Sequence, residues 1–511
     1  MRKASLALFI GFLALALLYP LSRVLLLGAG PGFGETLADR YYWERLAWSL
    51  EYGAAGSLAV VALAVPLAFG LRYVFPGRAL WVALAGVPFV MPTIVVAAGF
   101  LALLGPQGVL GVNLVGTPFL LVWAAVFYNY GFAARILHGL LAKSGDELEA
   151  AARTLGAGPL RAFYRVTLPA LLPGLFAAGG LTFLYTFASF GVPLILGGYR
   201  YATLEVEIYR LLAYELDFEG ASALILWQIV VLSLVSLGYL FASRRLAGEL
   251  GYGGLRPLRK EKAFLLGALY WAGLILLLLP LFALFFASLK TPEGLGLGNY
   301  LRLFAEEKSY FAPGLGPALK NTLRFSFLAL LLAAPAGLFY ALAAWRGSVL
   351  TEVLGLLPLM VSPVSLGVGY LLAYPRLQAS AFLLVLAYAT LAYPLFARAV
   401  IPALRGIGEE VIQAAATLGA SPWRRLFRVE LPLIRPALFS GAALAFGSAA
   451  GEFGATLLLV RPEWATLSVA IYERLGKPGL ANYGEAMAMS VVLLVLVAGV
   501  FYLFAKGAEL G

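Results

Sequence analysis

Residues 145–175 read GDELEAAARTLGAGPLRAFYRVTLPALLPGL, and residues 408–438 read GEEVIQAAATLGASPWRRLFRVELPLIRPAL. At an offset of 263 the two align without a gap, and about half of the positions are identical. Both copies are charged stretches between long apolar runs. A polar loop has no packing reason to keep one order of residues twice, so the repeat points to a job, most simply docking a partner. The same offset extends outward. Arg135 matches Arg398, Phe190-Gly191 matches Phe453-Gly454, and Ala202-Thr203-Leu204 with Ile208-Tyr209 matches Ala465-Thr466-Leu467 with Ile471-Tyr472. The chain is a tandem duplication of units of about 250 residues.

Around the repeat the composition is 62% hydrophobic and 12% charged, with a mean hydropathy of +0.90. Soluble domains carry about 25% charged residues, so this is an integral membrane protein. With no cysteine, disulfides, thiolate metal sites and cysteine nucleophiles are excluded. His138 is the sole histidine, which excludes histidine-based metal clusters and catalytic triads. Arg2 and Lys3 precede an apolar run to Leu27, longer than the core of a signal peptide, so this run reads as an uncleaved first span. The net charge of +11 fits cytoplasmic loops of a membrane protein and does not call for nucleic acid.

A spanning helix needs about 20 mainly apolar residues. Six runs precede the midpoint, near 5–27, 50–72, 79–104, 118–141, 170–196 and 222–243, and six follow, near 263–288, 322–345, 349–374, 379–401, 434–460 and 485–506. Prolines such as Pro66, Pro88, Pro92, Pro335, Pro358 and Pro363 are tolerated where neighbouring helices satisfy the freed backbone. With both termini inside, the inner loops collect about 23 of the Lys and Arg residues but only about 10 of the Asp and Glu residues. Both repeated loops then fall inside. An even number of spans per unit gives the units the same orientation, a parallel repeat. The expected organisation is a first six-span unit at 1–243 with its loop at 142–169, a basic cytoplasmic linker at 244–262, and a second unit at 263–511 with its loop at 402–432.

Each repeated loop opens on acids, Asp146, Glu147 and Glu149 or Glu409 and Glu410, which suit a helix N-terminus. Alanines follow, including Ala151 and Ala152 or Ala414 and Ala415, then Gly156 or Gly419, where a helix stops in the left-handed conformation. Pro159 or Pro422 starts a short basic-aromatic helix with Arg161 or Arg424. That helix is expected to end near Leu168-Pro169 or Leu431-Pro432, where the next span begins.

This pattern resembles the EAA motif of ABC-importer permeases, the binding-protein-dependent, MetI-like class. The family pattern is Glu-Ala-Ala, three residues, Gly, nine residues, Ile or Val, any residue, Leu-Pro. The copies here carry Ala150-Ala151-Ala152, Gly156, Val166, Leu168-Pro169 and Gln413-Ala414-Ala415, Gly419, Val429, Leu431-Pro432. The family glutamate is replaced by Ala150 and Gln413. The resemblance implies an all-α membrane protein of about 12 transmembrane helices, with each loop's short coupling helix docked on a cytoplasmic ATP-binding subunit, two copies per transporter. It implies a substrate-binding protein on the outer face of a bacterial-type plasma membrane. The chain has no GxxxxGK[ST] loop, so ATP chemistry is expected on another chain; the resemblance implies a permease subunit that is not itself an enzyme and binds no cofactor, with ATP and Mg on the partner.

The stretches Phe89–Thr93, Leu103–Gly108, Ala202–Tyr209 and Tyr214–Phe218 most resemble fused 12-span thiamine permeases. Fused iron(III) permeases share the architecture, and Gly451–Thr456 resembles molybdate and sulfate permeases. The segment 197–221 holds Glu205, Glu207, Glu215, Asp217 and Glu219 and reads as a solvated outer loop. Glu452 lies within the eleventh run, where an ionisable group is functional by default; with its counterpart Ser189 it is the candidate for the translocation pathway. A secondary transporter with two six-span halves would want several intramembrane charges and has no use for two matched cytoplasmic loops.

Overall fold

The computed structural model describes residues 2–30, 32–246, 256–305, 313–345, 349–378 and 380–509. It is an all-helical membrane protein with one two-residue hairpin, Lys290–Thr291 against Gly294–Leu295. Among the described residues nine helices are long and apolar enough to cross a membrane. In the first half these are Lys3–Gly28, Arg40–Gly70, Pro118–Leu141, Pro159–Phe187 and Phe218–Ala242. In the second they are Lys260–Leu289, Leu315–Ala344, Phe382–Arg405 and Leu480–Gly507.

The other apolar runs are broken, and in the third and ninth prolines set where. The third run is two pieces, Arg78–Val90 and Thr93–Leu104, bent by 104°. The ninth is Val349–Leu356, a 3-10 turn at Leu357–Met360 and Pro363–Ala373. The residue before a proline is driven out of the helical region. Met91 before Pro92 has ψ 144°, and Ser362 before Pro363 has ψ 162°. Expected as kinks, these prolines make full breaks. The fifth and eleventh runs, read from the sequence as single spans at 170–196 and 434–460, are divided too. The helix ending at Phe187 gives way to Gly191–Leu196, and Arg435–Ala450 gives way to Gly454–Leu459.

One buried bond between matching segments recurs in both units. Leu204 N donates to Ser49 Oγ at 2.7 Å, and Leu467 N donates to Thr322 Oγ1 at 2.9 Å. They also exchange their first spans. Pro20 lies against Gly369 of the other half, and Pro280 against Gly99; a Cβ on either glycine would sit 3.1 or 2.9 Å from the facing proline residue. Small residues at such crossings let helices approach closely, which is how membrane helices gain packing energy without a hydrophobic driving force. This exchange interlocks the two units. Of the linker, residues 247–255 lie outside the described part. Its end is tied down: Arg256 N donates to Arg72 O at 2.9 Å, and Val74 N donates to Arg256 O at 3.0 Å.

Candidate functional site

The glycine corners of the repeated loops form as their sequence dictates. Gly156 has φ +82° and Gly419 φ +76°. Ala157 N donates to Ala152 O and Gly156 N to Arg153 O, both at 3.0 Å; Ala420 N donates to Ala415 O and Gly419 N to Ala416 O, both again at 3.0 Å. This pair of crossed bonds satisfies the last carbonyls of a helix and requires the left-handed residue that glycine supplies. Pro159 and Pro422 then open the short helices Pro159–Ala162 and Pro422–Arg425, the second capped by Ser421 Oγ accepting from Arg424 N at 3.3 Å.

Two expectations about these loops fail in one copy each. The acids at 146–149 do not begin a helix, because Pro118–Thr154 runs through them unbroken. In the second copy Gly406 and Gly408 interrupt the chain, and Glu409–Thr417 is a separate helix with its acids in the first turn. At the far end, the short helix of the first loop does not stop at Leu168-Pro169. It passes through a π turn at Phe163–Thr167 straight into the span. A proline ring clashes with the carbonyl four residues back in an α-helix, and a wider turn before Pro169 relieves that. The second loop has the matching π turn at Leu426–Glu430, but it then bends by 77° into Arg435–Ala450.

Of the sequence-named loop residues, Ala151, Gly156, Pro159, Arg161, Pro169, Glu410, Ala414, Gly419, Pro422, Arg424 and Pro432 are exposed. Ala152, Leu168 and Leu431 are half-buried, and Ala415 is buried. Glu147 lies on the helix Pro118–Thr154, with its side chain outside the described residues. The sequence reading named the apolar residues of the short helices but passed over two leucines that stand out most. Leu155 and Leu418, at matched positions before the glycines, are each 88% exposed. Leu160 and Trp423 are exposed as a matched pair, as are Tyr164 and Phe427 at 62% and 63%. Both loops thus present the same leucine and large apolar pair, the kind of patch that marks an interaction surface. The Thr-Leu-Gly identity in both copies was the signal for Leu155 and Leu418.

Between the units lies a cavity of about 330 Å³. Its wall includes both proline breaks, at Pro92 and Pro363, and both Phe-Gly pairs. Phe190 and Phe453 stack with ring centroids 5.6 Å apart, so the pseudo-two-fold axis passes between equivalent residues of the two units. Gly191 faces Phe453 and Gly454 faces Phe190; an added Cβ would lie 3.1 Å and 3.4 Å from the facing rings. Asn129 and Tyr128 also line it, as does Arg398, which donates to Tyr185 OH at 3.1 Å. Arg135, the counterpart of Arg398, instead donates to Val82 O at 2.8 Å, so only the second unit turns its arginine to the cavity. A mostly apolar cavity with a few convergent polar groups is the ordinary form of a small-molecule site.

Ser189 and Glu452 both line this cavity. Glu452, however, is not inside a spanning helix. It sits in the turn after Ala450, and its carboxylate caps the next helix: Oε1 accepts from Ala455 N and Oε2 from Thr456 N, each at 2.9 Å. Thr456 Oγ1 bonds the same carboxylate and meets Tyr388 OH at 2.7 Å. An acid at a helix N-terminus is stabilised by the free N–H groups there, which is how this buried carboxylate is accommodated.

A family model described as the binding-protein-dependent transport system inner membrane component matches the chain twice, over residues 63–248 and 259–507. A thiamine transport system permease protein of Brucella suis is 27% identical over 532 residues, spanning 95% of this chain and 93% of that protein. The Escherichia coli thiamine transport system permease protein is 28% identical, over 89% of this chain and 88% of its own. A putative ferric transport system permease protein of Haemophilus influenzae is 27% identical, over 80% of this chain and 69% of its own.

Proposed function

Because the chain belongs to the family of binding-protein-dependent transport system inner membrane components, we propose that it is the permease subunit of an ATP-driven importer that moves thiamine or a thiamine phosphate inward by alternating access. In this reading the repeated loops face the cytoplasm, as do both termini. Each loop docks on one of two copies of an ATP-binding subunit, which supplies all ATP chemistry. The Gly156 and Gly419 corners orient the short helices, the exposed leucine and large apolar pairs enter the partner, and Arg161 and Arg424 meet its acidic groups. A substrate-binding protein docks on the opposite face of the plasma membrane. The cavity between the breaks, with Ser189 and Glu452 in its wall, is the translocation pathway, and the stacked Phe190 and Phe453 close it.

The observation that carries this reading is the matched pair of exposed apolar surfaces on two glycine-cornered loops. Thiamine is favoured because the relatives with that printed function align over nearly their whole length. The aromatic wall of Phe89, Tyr128, Tyr185, Phe190 and Phe453 also suits a flat cationic ring. Iron(III) is the second reading, supported by the ferric relatives.

The test is a mild-detergent pull-down of the tagged chain with identification of what co-purifies. Recovery of an ATP-binding subunit at two copies per chain supports the proposal. The companion binding protein is then titrated with thiamine, thiamine phosphate and iron(III). A monomer without an ATPase, under conditions that preserve a known complex of this kind, overturns the proposal.

A further inference from the structure

The acidic segment after the fifth run is not the solvated loop its sequence suggests. Residues Leu204–Arg210 form a helix, and Glu205 and Glu207 on it are buried. Glu207 is bonded within the first unit, to Tyr41 OH at 3.0 Å and to Arg210. Glu205 reaches across to the second unit. Its Oε1 accepts from Val364 N at 3.3 Å, at the start of the helix Pro363–Ala373, and its Oε2 accepts from Gln228 Nε2 at 2.5 Å. Gln228 Oε1 accepts from Ser365 Oγ at 2.7 Å. Ser365 Oγ accepts from Ser362 Oγ at 2.8 Å, and Ser365 N donates to Ser362 Oγ at 3.0 Å.

Glu205, Gln228 and Ser362 have no exposed surface, and Ser365 is 1% exposed. The chain of donors and acceptors runs from the ninth-run break through the sixth span to the carboxylate. It sits directly behind the cavity wall, because Val361 and Pro363 of the same break line the cavity. The second unit has no equivalent. The position matching Glu205 is Ser468, whose buried Oγ has no hydrogen-bond partner among the described residues. The matching break in the first unit begins at Pro92, without a side-chain cap. One of two otherwise equivalent crossings between the units therefore carries a bonded carboxyl group and the other does not.

We propose that Glu205 is a positioning residue that latches the first unit to the Ser362–Ser365 break of the second, and that this bond must release before the cavity opens on the face opposite the repeated loops. A buried carboxyl group bonded to a helix N-terminus and to a side-chain amide is costly to pull away, because the separation leaves buried polar atoms without partners. The latch rests on the alternating-access reading above, and it adds an energetic asymmetry between the units.

The chain has no cysteine, so single labelling sites can be introduced without removing any. Tyr199 and Leu377 are exposed, in the connections that follow the fifth-run and ninth-run breaks. Spin labels at Tyr199→Cys and Leu377→Cys, in the permease with its ATP-binding subunits in nanodiscs, give the distance between the units by pulsed electron paramagnetic resonance. In the wild-type background a longer distance is expected only with ATP. Glu205→Ala is expected to raise the nucleotide-free population of the long distance by about tenfold or more, the effect of losing the two hydrogen bonds from Val364 N and Gln228 Nε2. Glu205→Gln keeps the side-chain length and is expected to lie between the two. Ser365→Ala removes the two hydroxyl bonds at the far end of the chain, to Gln228 and from Ser362, while leaving the carboxyl group in place, and should shift the same population less. If ATP lengthens the distance in the wild type while Glu205→Ala and Ser365→Ala leave the nucleotide-free distribution unchanged, the latch is overturned and the transport reading survives. If ATP leaves the wild-type distance unchanged, the alternating-access reading fails and the latch fails with it.

Discussion

Replacing Gly156 and Gly419 together by valine separates conformation from packing at the repeated loops. Both glycines have φ near +80°, and a Cβ added at either meets nothing within 4 Å. The substitution therefore creates no clash with another part of the chain. Its cost is confined to the backbone, about 1–2 kcal/mol per corner for an L residue held in the left-handed region, and β-branching adds to it. A penalty of that size lowers the corner's population by a factor of about 5–30. Since both corners are needed at once, the factors multiply. The assay is uptake of labelled thiamine against ATP hydrolysis in proteoliposomes holding the whole transporter. Uptake per ATP is expected to fall by about tenfold or more, with the thermal midpoint of the isolated permease nearly unchanged. Asparagine tolerates the left-handed region, so Gly156→Asn with Gly419→Asn is expected to restore most of the coupling. A valine double variant that transports like wild type refutes the reasoning, as does an asparagine pair that does as much damage as valine.

Changing Leu155 and Leu418 to aspartate touches no packed surface of the isolated chain, so folding should be unaffected while co-purification of the ATP-binding subunit falls by about tenfold, read by quantitative pull-down. Phe190→Ala with Phe453→Ala removes a stacked pair worth about 0.5–1.5 kcal/mol. Liposomes loaded with thiamine should leak faster with this variant, and unchanged retention would show that the pair does not close the pathway. Glu452→Gln keeps an acceptor for only one of the N–H groups of Ala455 and Thr456 and turns its NH2 toward the other, a loss of about 1–3 kcal/mol in stability. If transport and basal ATPase both stay at wild-type levels, Glu452 is only a cap and has no part in the pathway. Gly131→Ala sets a Cβ against the Ala85 carbonyl and should lower the thermal midpoint by an amount equal to about 1–3 kcal/mol, unlike the glycines of the loops.

The duplication, the helical class and the loop corners were legible because they rest on local chemistry. Gly156, Pro159 and Ser421 act through their own backbone angles and nearest neighbours, so their spacing is enough. The breaks were half legible. Pro92 and Pro363 were visible, but whether a proline kinks or ends a helix depends on what satisfies the freed backbone, here Ser362 beside Pro363. Glu205 was misread because the residues that bury it are distant in the chain: Gln228 is 23 positions away and Val364 is 159. A count of acids in a connecting segment cannot see them. The exchange of first spans escaped for the same reason, since Pro20 and Gly369 look ordinary until they face each other. Leu155 and Leu418 were overlooked because a leucine in an apolar chain draws no notice; only its exposure marks it.

The straight first loop and the bent second loop make the permease mechanically unequal at the level of its input. A displacement applied identically at Leu155 and Leu418 travels along a continuous rod in one unit, from Pro159 to Phe187, and turns a 77° elbow in the other. The first unit would tilt as a single body, while the second would convert part of the same stroke into rotation at Arg435. If two partner subunits push in step, as proposed, the same stroke would thus produce motions that differ in kind in the two halves.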